Sequence, residues 1–320
     1  MKKEYVIAID VGGTKILTAL ISDKKKIIDR IKLATDATKG GKFIIECVSD
    51  SIKQVLKQTS IKIEQVKAIS IGVPGTVNPE SGILANAPNL HIKNFNIRKM
   101  LQKDFNVPIF LENDVNLAGL GIKIYEYKNK VNNMLVVFVG TGIGGALFFN
   151  GKMYRGSSFY AGEIGHMLVD GKGALGNGKD ATQFEHVASR TAIVNSIIEK
   201  SKKNKTYLAK YIKKGEKIKS KHLAKAIAKD DKLVKEVISD ACKVIGTLLG
   251  SITTLLNLDT IVVGGGAVEA NEDFMLPKIR KAFNDAVIKE AGKIVKIKGT
   301  KLGDDAALYG GLGLAEEFLK

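Results

Sequence analysis

The sequence predicts an α/β protein built from two domains that share a cleft. Three observations carry this prediction. The 320 residues are 45% hydrophobic, enough to fill two sizeable cores without disulfides. Short apolar strands alternate along the chain with longer amphipathic stretches. A strand–glycine turn–strand unit opens near residue 5 and again near residue 133, and the two read as an internal duplication.

Taken in order, residues 5–10 (YVIAID) and 15–22 (KILTALIS) are strands joined by VGGT. A third strand, KIIDRIKL, follows the charged turn at 23–26, so the three form an antiparallel meander. Phe43, Ile44, Val48, Ile52, Val55 and Leu56 recur at helical spacing and predict a helix over 41–58. KAISIGVPG is a buried strand ending in a Pro-Gly turn. A short helix over 97–105, the strand VPIFLEN and a helix from Asp114 follow. The second half opens with the strand MLVVFVG and continues as TGIGGALFFNGKMY, where Asn150-Gly151 marks a hairpin. Residues 182–257 are mostly helical, and the last helix of that run carries Val234, Val237, Ile238, Ala241, Val244 and Ile245 on one face. The strand TIVVGGG, an amphipathic helix through Phe283, the strand KIVKIK and a helix from Asp304 complete the chain. Gly310, Gly311 and Gly313 fall inside that final helix, where each costs up to about 1 kcal/mol relative to Ala. Close packing against another backbone is the expected reason.

Composition narrows the function. Cys47 and Cys242 are the only cysteines, which fits a reducing compartment and excludes a zinc cluster of several thiolates. The apolar stretch before Asp10 is too short for a signal-peptide core. The stretch 245–268 is interrupted by Asn257, Asp259 and three successive glycines, so no membrane span is expected and the chain reads as cytoplasmic. The net charge of +17 suggests nucleic acid at first sight. Only five cations are Arg, however, and residues 200–235 alone hold fourteen Lys against three acids. A solvated, lysine-coated helical face accounts for that excess, and neither nucleic acid nor membrane is expected as a partner.

Gly140-x-Gly142-x-x-Gly145 matches the dinucleotide fingerprint, but that fingerprint needs a helix after the turn and a hairpin strand follows here. No P-loop motif is present either. What remains is two glycine turns in matching positions, Gly12-Gly13-Thr14 after Asp10 and the turn at 140–145. Turns without Cβ atoms let backbone N–H groups approach an anion, and Thr14 and Thr141 add hydroxyl donors. One such hairpin is usually structural; a matched pair beside an aspartate suits a polyphosphate and its magnesium.

The motifs AIDVGGTKI, GVPGTVN, APNL, LENDVNLA, GTGIGGA, AGEIGHM and TIVVGGG occur in this order across nearly the whole chain. They resemble the ROK family of sugar kinases and repressors, and within it the glucokinase-like enzymes. The resemblance implies a two-domain actin-like ATPase (ribonuclease-H-like) fold with a cleft between domains. It places 1–117 plus 303–320 in a smaller domain and 118–302 in a larger one, with hinges near 115–120 and 300–304. It also implies ATP and magnesium, a homodimer, and phosphorylation of a hexose at its 6-hydroxyl, glucose foremost. N-acetylglucosamine, N-acetylmannosamine, fructose or allose remain open as substrates, as do polyphosphate as donor and a non-catalytic sugar-binding regulator as the role.

Residue by residue, the resemblance makes Asp114 the base that takes the proton from the 6-hydroxyl; read alone, an Asp there is more often a helix cap. Asp10 matches the aspartate that holds magnesium through water. Asn89, Asn113, Glu163, His166 and Glu185 match sugar contacts, although a Glu-x-x-His pair alone is weak evidence. Gly12, Gly13, Thr14, Lys15, Gly140, Thr141, Gly142 and Gly144 fall to the phosphates, and Gly264, Gly265 and Gly266 to the adenosine. One departure stands out. Many ROK kinases bind structural zinc through three cysteines after that histidine, but those positions here are Gly176, Gly178 and Gln183, so no zinc is expected.

Overall fold

The computed structural model describes residues 4–170, 175 and 181–319. The chain divides into two units. Unit 1 comprises Met1–Lys130, Met153–Ala161 and Asp304–Lys320; unit 2 comprises Val131–Lys152 and Gly162–Gly303.

Unit 1 is built on β1 (Tyr5–Val11), β2 (Lys15–Ser22), β3 (Ile27–Ala34), β4 (Val66–Val73) and β8 (Ile109–Asn113), in the order β3-β2-β1-β4-β8. β1, β2 and β3 form the expected antiparallel meander, and β4 and β8 run parallel to β1. Both faces of the sheet are covered. Ile7 and Ile9 join Ile44, Val48 and Ile52 of α1 (Gly40–Thr59) in one core. Val6 and Ala8, pointing the other way, join Leu308 and Leu312 of α12 (Asp305–Phe318) in another. Burial on two faces is why β1 reads as an apolar run rather than an alternation. A small antiparallel sheet of β5 (Thr76–Asn78), β6 (Ile83–Ala87) and β7 (Ile92–Asn96) was not anticipated. Its strands of three to five residues are too short to show a period. α2 (Ile97–Leu101) is shorter than the predicted helix, and α3 (Asp114–Tyr125) follows β8 directly.

The second sheet consists of β9 (Met134–Val139), β10 (Ile143–Phe149), β11 (Lys152–Tyr154), β14 (Thr260–Gly264) and β15 (Lys296–Gly299), in the order β11-β10-β9-β14-β15. β10 is antiparallel to β9, and β14 and β15 are parallel to it. Order and sense therefore repeat those of the first sheet, as the duplicated sequence unit implies. Asn150 and Gly151 both have positive φ (51° and 72°), as a tight hairpin requires. A ribbon of β12 (Leu168–Val169) and β13 (Thr182–Gln183) precedes α4 (Glu185–Ala188), α5 (Arg190–Ser201), α6 (Ala209–Lys213), α7 (Ser220–Ala228) and α8 (Lys232–Leu256). α9 (Gly266–Glu269), α10 (Glu272–Ala286) and α11 (Lys289–Gly292) lie between β14 and β15. Among the described residues α8 alone is long and apolar enough to cross a membrane, and 67% of its most apolar stretch is buried. The lysine-rich stretch spans α6, α7 and their flanks. Its Lys210 sits over the rings of Tyr207 and Tyr211 at 4.8 and 5.0 Å.

The expected boundaries differ from these units in two places. α3 runs unbroken through 115–120, where a hinge was expected, and at Gly121 it lies against the Ala306 carbonyl of α12. Residues 118–130 and 153–161 fall in unit 1.

Candidate active site

In unit 1 the end of β8 turns directly into α3. Asn113 is the N-cap: its Oδ1 accepts the Val115 and Asn116 N–H groups at 2.9 and 3.0 Å, and its Nδ2 donates to the Gly75 carbonyl at 3.0 Å. Asp114 is therefore the first helical residue and not the cap. Its carboxylate lies close enough to Asp10 to raise it. Burial, and then the Asp114 charge, push Asp10 from 3.8 to about 7; Lys15 opposes the shift and Asp304 adds to it. Lys15 Nζ donates to Asp304 Oδ2 at 2.7 Å. Asp10, Lys15, Asp114 and Asp304 thus form one charged corner at the ends of β1 and β8.

The first glycine turn borders this corner. The Gly12 N–H folds back on the Lys15 carbonyl at 2.8 Å, so Gly12 offers close backbone approach rather than a donor. The Gly13 and Thr14 carbonyls accept from Ala37 and Thr35 at 3.2 and 3.1 Å. A Cβ on Gly13 would stand 3.4 Å from the Asn89 carbonyl, which places the exposed Asn89 turn beside it. Unit 1 therefore brings together Asp10, Gly12, Gly13, Thr14, Lys15, Asn89, Asn113 and Asp114.

Unit 2 gathers the other candidates. The turn at 140–145 links β9 to β10 as a hairpin, with Ile143 opposite Val139, and no helix follows it. Gly140 N–H closes the turn on Gly142 O at 2.9 Å, and Gly144 pairs with Phe138. The loop bearing Glu163 and His166 is pressed onto β10: a Cβ on Gly145 would meet the Gly162 carbonyl at 2.8 Å, and one on Gly165 would overlap the Ile143 carbonyl. His166 Nδ1 stands 3.5 Å from Glu163 Oε2. Burial raises Glu163 above its usual range, His166 lowers it and Glu185 raises it, so the three groups share one site. Glu185 Oε2 accepts the Ile143 N–H at 3.3 Å. Gly264 and Gly265 pack against Phe138 and Val139, and a Cβ on Gly266 would have only Ser220 Oγ nearby, at 3.5 Å.

The sequence reading missed two residues of this site. Arg190 N–H donates to the Gly140 carbonyl at 3.0 Å and its Nη2 to Thr141 Oγ1 at 2.8 Å, and Thr191 Oγ1 donates to the Thr141 carbonyl at 2.7 Å. They brace the second glycine turn from the start of α5, some fifty positions away, so no local spacing announces them. Of the positions examined for zinc, Gln183 lies on β13, and Gly176 and Gly178 lie outside the described residues.

Two outcomes follow from this geometry. A Cβ on Gly142 would overlap the Glu185 carboxylate. Gly142→Ala should therefore displace Glu185 and weaken binding of a ligand read by it, by about tenfold or more given that hydrogen bonds to charged groups contribute ~1.5–3 kcal/mol. Isothermal titration with the sugar would measure the change, and unaltered affinity would separate Glu185 from the ligand.

The second concerns Asp10. Without metal, its raised value means that the folded chain keeps a proton which the unfolded chain loses above 3.8. Stability should then fall as pH rises from about 4 to about 7 and stay lowered above that. Asp10→Asn should remove the penalty, making the metal-free chain about 2 kcal/mol more stable at pH 8 and no different at pH 4, the figure being discounted because the side chain keeps some contact with solvent. Urea melts in EDTA at both pH values test it; parallel pH slopes would contradict it.

A magnesium ion fits the Asp10 corner. The donors are hard carboxylate oxygens, and a cation there would offset the charge that burial and Asp114 disfavour on Asp10. Among the described residues no three His, Cys, Asp or Glu converge as a metal cage. Magnesium does not need one, because it takes one or two carboxylates and completes its shell with water and phosphate oxygens.

The model of the ROK family matches residues 6–317. The chain is 27% identical over 320 residues to a glucokinase of Halalkalibacterium halodurans, a match covering 99% of this chain and 96% of that protein. It is 26% identical over 311 residues to a xylose repressor of Caldicellulosiruptor bescii, covering 95% of this chain and 76% of that one. Its fold superposes with a TM-score of 0.81 on a ROK family glucokinase from Streptomyces griseus in complex with glucose and AMPPNP, at 23% identity over 98% of this chain and 99% of that one. The fold is thus the two-domain α/β actin-like ATPase fold.

Proposed function

The chain belongs to the ROK family, and from that premise we propose that it is a cytoplasmic ATP-dependent sugar kinase that phosphorylates the 6-hydroxyl of a hexose, glucose foremost. The observation that carries the reading is the corner of unit 1. Asp114 is released from capping by Asn113, stands at the start of α3, and is near enough to Asp10 to raise it.

In this reading Asp114 accepts the proton of the attacking hydroxyl, which makes the oxygen nucleophilic as the phosphoryl group is transferred. Asn113 keeps one Nδ2 hydrogen for the sugar, the other being held by Gly75. Glu163, His166 and Glu185, with Asn89, hold the remaining hydroxyls; paired acceptors with one switchable donor suit a polyol. The two glycine turns admit the phosphates of the donor to close backbone approach, and Gly264, Gly265 and Gly266 do the same for the adenosine. When bound at Asp10 through water, magnesium supplies charge neutralisation to those phosphates.

A coupled assay tests the proposal against glucose, N-acetylglucosamine, N-acetylmannosamine, fructose and allose, reading ADP release with ATP as donor and sugar phosphate formed with polyphosphate as donor. Release with glucose above the others is expected. Sugar binding without release would select the regulator reading, which the similarity to a xylose repressor keeps in view.

A further inference from the structure

The stretch Met153–Ala161 belongs to unit 1, although the chain before and after it belongs to unit 2. It leaves the second sheet at β11 and ends at Ala161, two positions before Glu163. Its one cation, Arg155, is 15% exposed and reaches a carboxylate that is 2% exposed, Glu112 on β8. Arg155 Nε donates to Glu112 Oε2 at 2.6 Å, and Nη1 and Nη2 donate to the two oxygens of Glu317 on α12 at 2.9 and 3.3 Å. The guanidinium carbon also stands 5.7 Å from the centre of the Phe318 ring.

The other oxygen of Glu112 is turned to the first turn of α3. Oε1 accepts the Asn113 N–H at 2.9 Å and Asn116 Nδ2 at 3.0 Å. One carboxylate therefore clasps the guanidinium on one side and the first turn of α3 on the other, and Asp114 lies between the two residues it holds. Stability explains this poorly. α3 is already capped by Asn113, and a buried ion pair on average adds little over apolar residues of the same volume. What a fixed, fully bonded carboxylate does supply is direction, because each of its partners can sit in only one place.

We infer that Arg155 is a positioning residue: acting through Glu112, it fixes the corner formed by Asn113 and Asp114 and so sets where the Asp114 carboxylate meets the acceptor hydroxyl. The inference rests on the kinase reading. It also gives the stretch 153–161 a purpose, since the chain that carries Arg155 to the base runs straight on into the loop of Glu163 and His166.

The test uses the full chain as wild type, Arg155→Met, Arg155→Lys, Glu112→Gln and the double variant Arg155→Met/Glu112→Gln. It reads kcat and sugar KM, with melting curves alongside. Arg155→Met should lower kcat by about 10–100-fold, as a misplaced reacting group does, while sugar KM changes less than about threefold. Removing the carboxylate in the double variant should return kcat to near that of Glu112→Gln alone, a non-additivity expected of residues that act through one another. Arg155→Lys, which keeps the charge but not the fork, should fall between.

Wild-type kcat in Arg155→Met would overturn the inference, as would losses that simply add in the double variant. A raised sugar KM at unchanged kcat would assign Arg155 to the sugar loop and overturn it too. Should Arg155→Met fail to fold, Arg155→Lys and the double variant decide by the same readings. A wild-type chain inactive on every sugar removes the kinase reading itself, and the inference with it.

Discussion

Asp114→Asn should lower kcat by about 10²–10⁴-fold, the usual cost of losing a general base, while the variant folds and binds sugar as before. The geometry explains why fold and catalysis separate here. The α3 cap is Asn113, so the helix keeps its first turn. The bond that Asp114 Oδ1 accepts from the Val115 N–H at 2.9 Å can be kept by an amide oxygen. What the substitution removes is basicity. The contrasting variant, Asn113→Ala, deletes the cap and the Gly75 tether and should cost about 1 kcal/mol of stability as well as activity. Sugar affinity by calorimetry, kcat by ADP release and melting temperature distinguish the two. Near wild-type turnover in Asp114→Asn would return the residue to a structural role and remove the base from the mechanism.

Much of this architecture was legible in the sequence because its signals are local. β1 to β2 and β9 to β10 are short apolar runs broken by glycine turns, and the same order of events in both halves foretells two sheets of the same topology. The glycine triplet of α12 was legible for a similar reason: residues so unfavourable in a helix call for a backbone neighbour. Other features have no local signal. β5, β6 and β7 are too short to reveal a period. Asn113 and Asp114 are adjacent and both can cap a helix, so only coordinates show which one does. The Glu112, Arg155 and Glu317 network joins three positions spread over some two hundred residues. Arg190 reaches Thr141 in the same non-local way. The site motifs thus mark which groups meet a ligand, while the groups that orient them are found only in the fold.

The largest loss of stability should come from Gly310→Ala. α12 crosses α3 so closely that a Cβ on Gly310 would overlap the Leu117 carbonyl, and one on Gly121 would overlap the Ala306 carbonyl. These obstacles are helical backbone, so no rotamer change relieves them and the two helices must part. Overpacking typically costs about 1–3 kcal/mol and more where backbone has to move, so a loss of at least ~3 kcal/mol is expected even after Ala returns about 1 kcal/mol of helix propensity. Gly313→Ala is the control. Its Cβ would meet the far end of the Ile124 side chain and, at 3.1 Å, Leu120 Cγ, and these side chains can turn aside. It should therefore cost clearly less than Gly310→Ala. The functional consequence runs through α3, which carries Asp114 at its first position while Leu117 takes the push one turn later. Gly310→Ala should lower kcat even at temperatures where the variant remains folded, whereas Gly313→Ala should not. Urea denaturation paired with ADP-release kinetics at 25 °C would measure both effects. Equal stability losses at the two positions would mean that the helices adjust freely, and that the close crossing does not hold the catalytic corner in place.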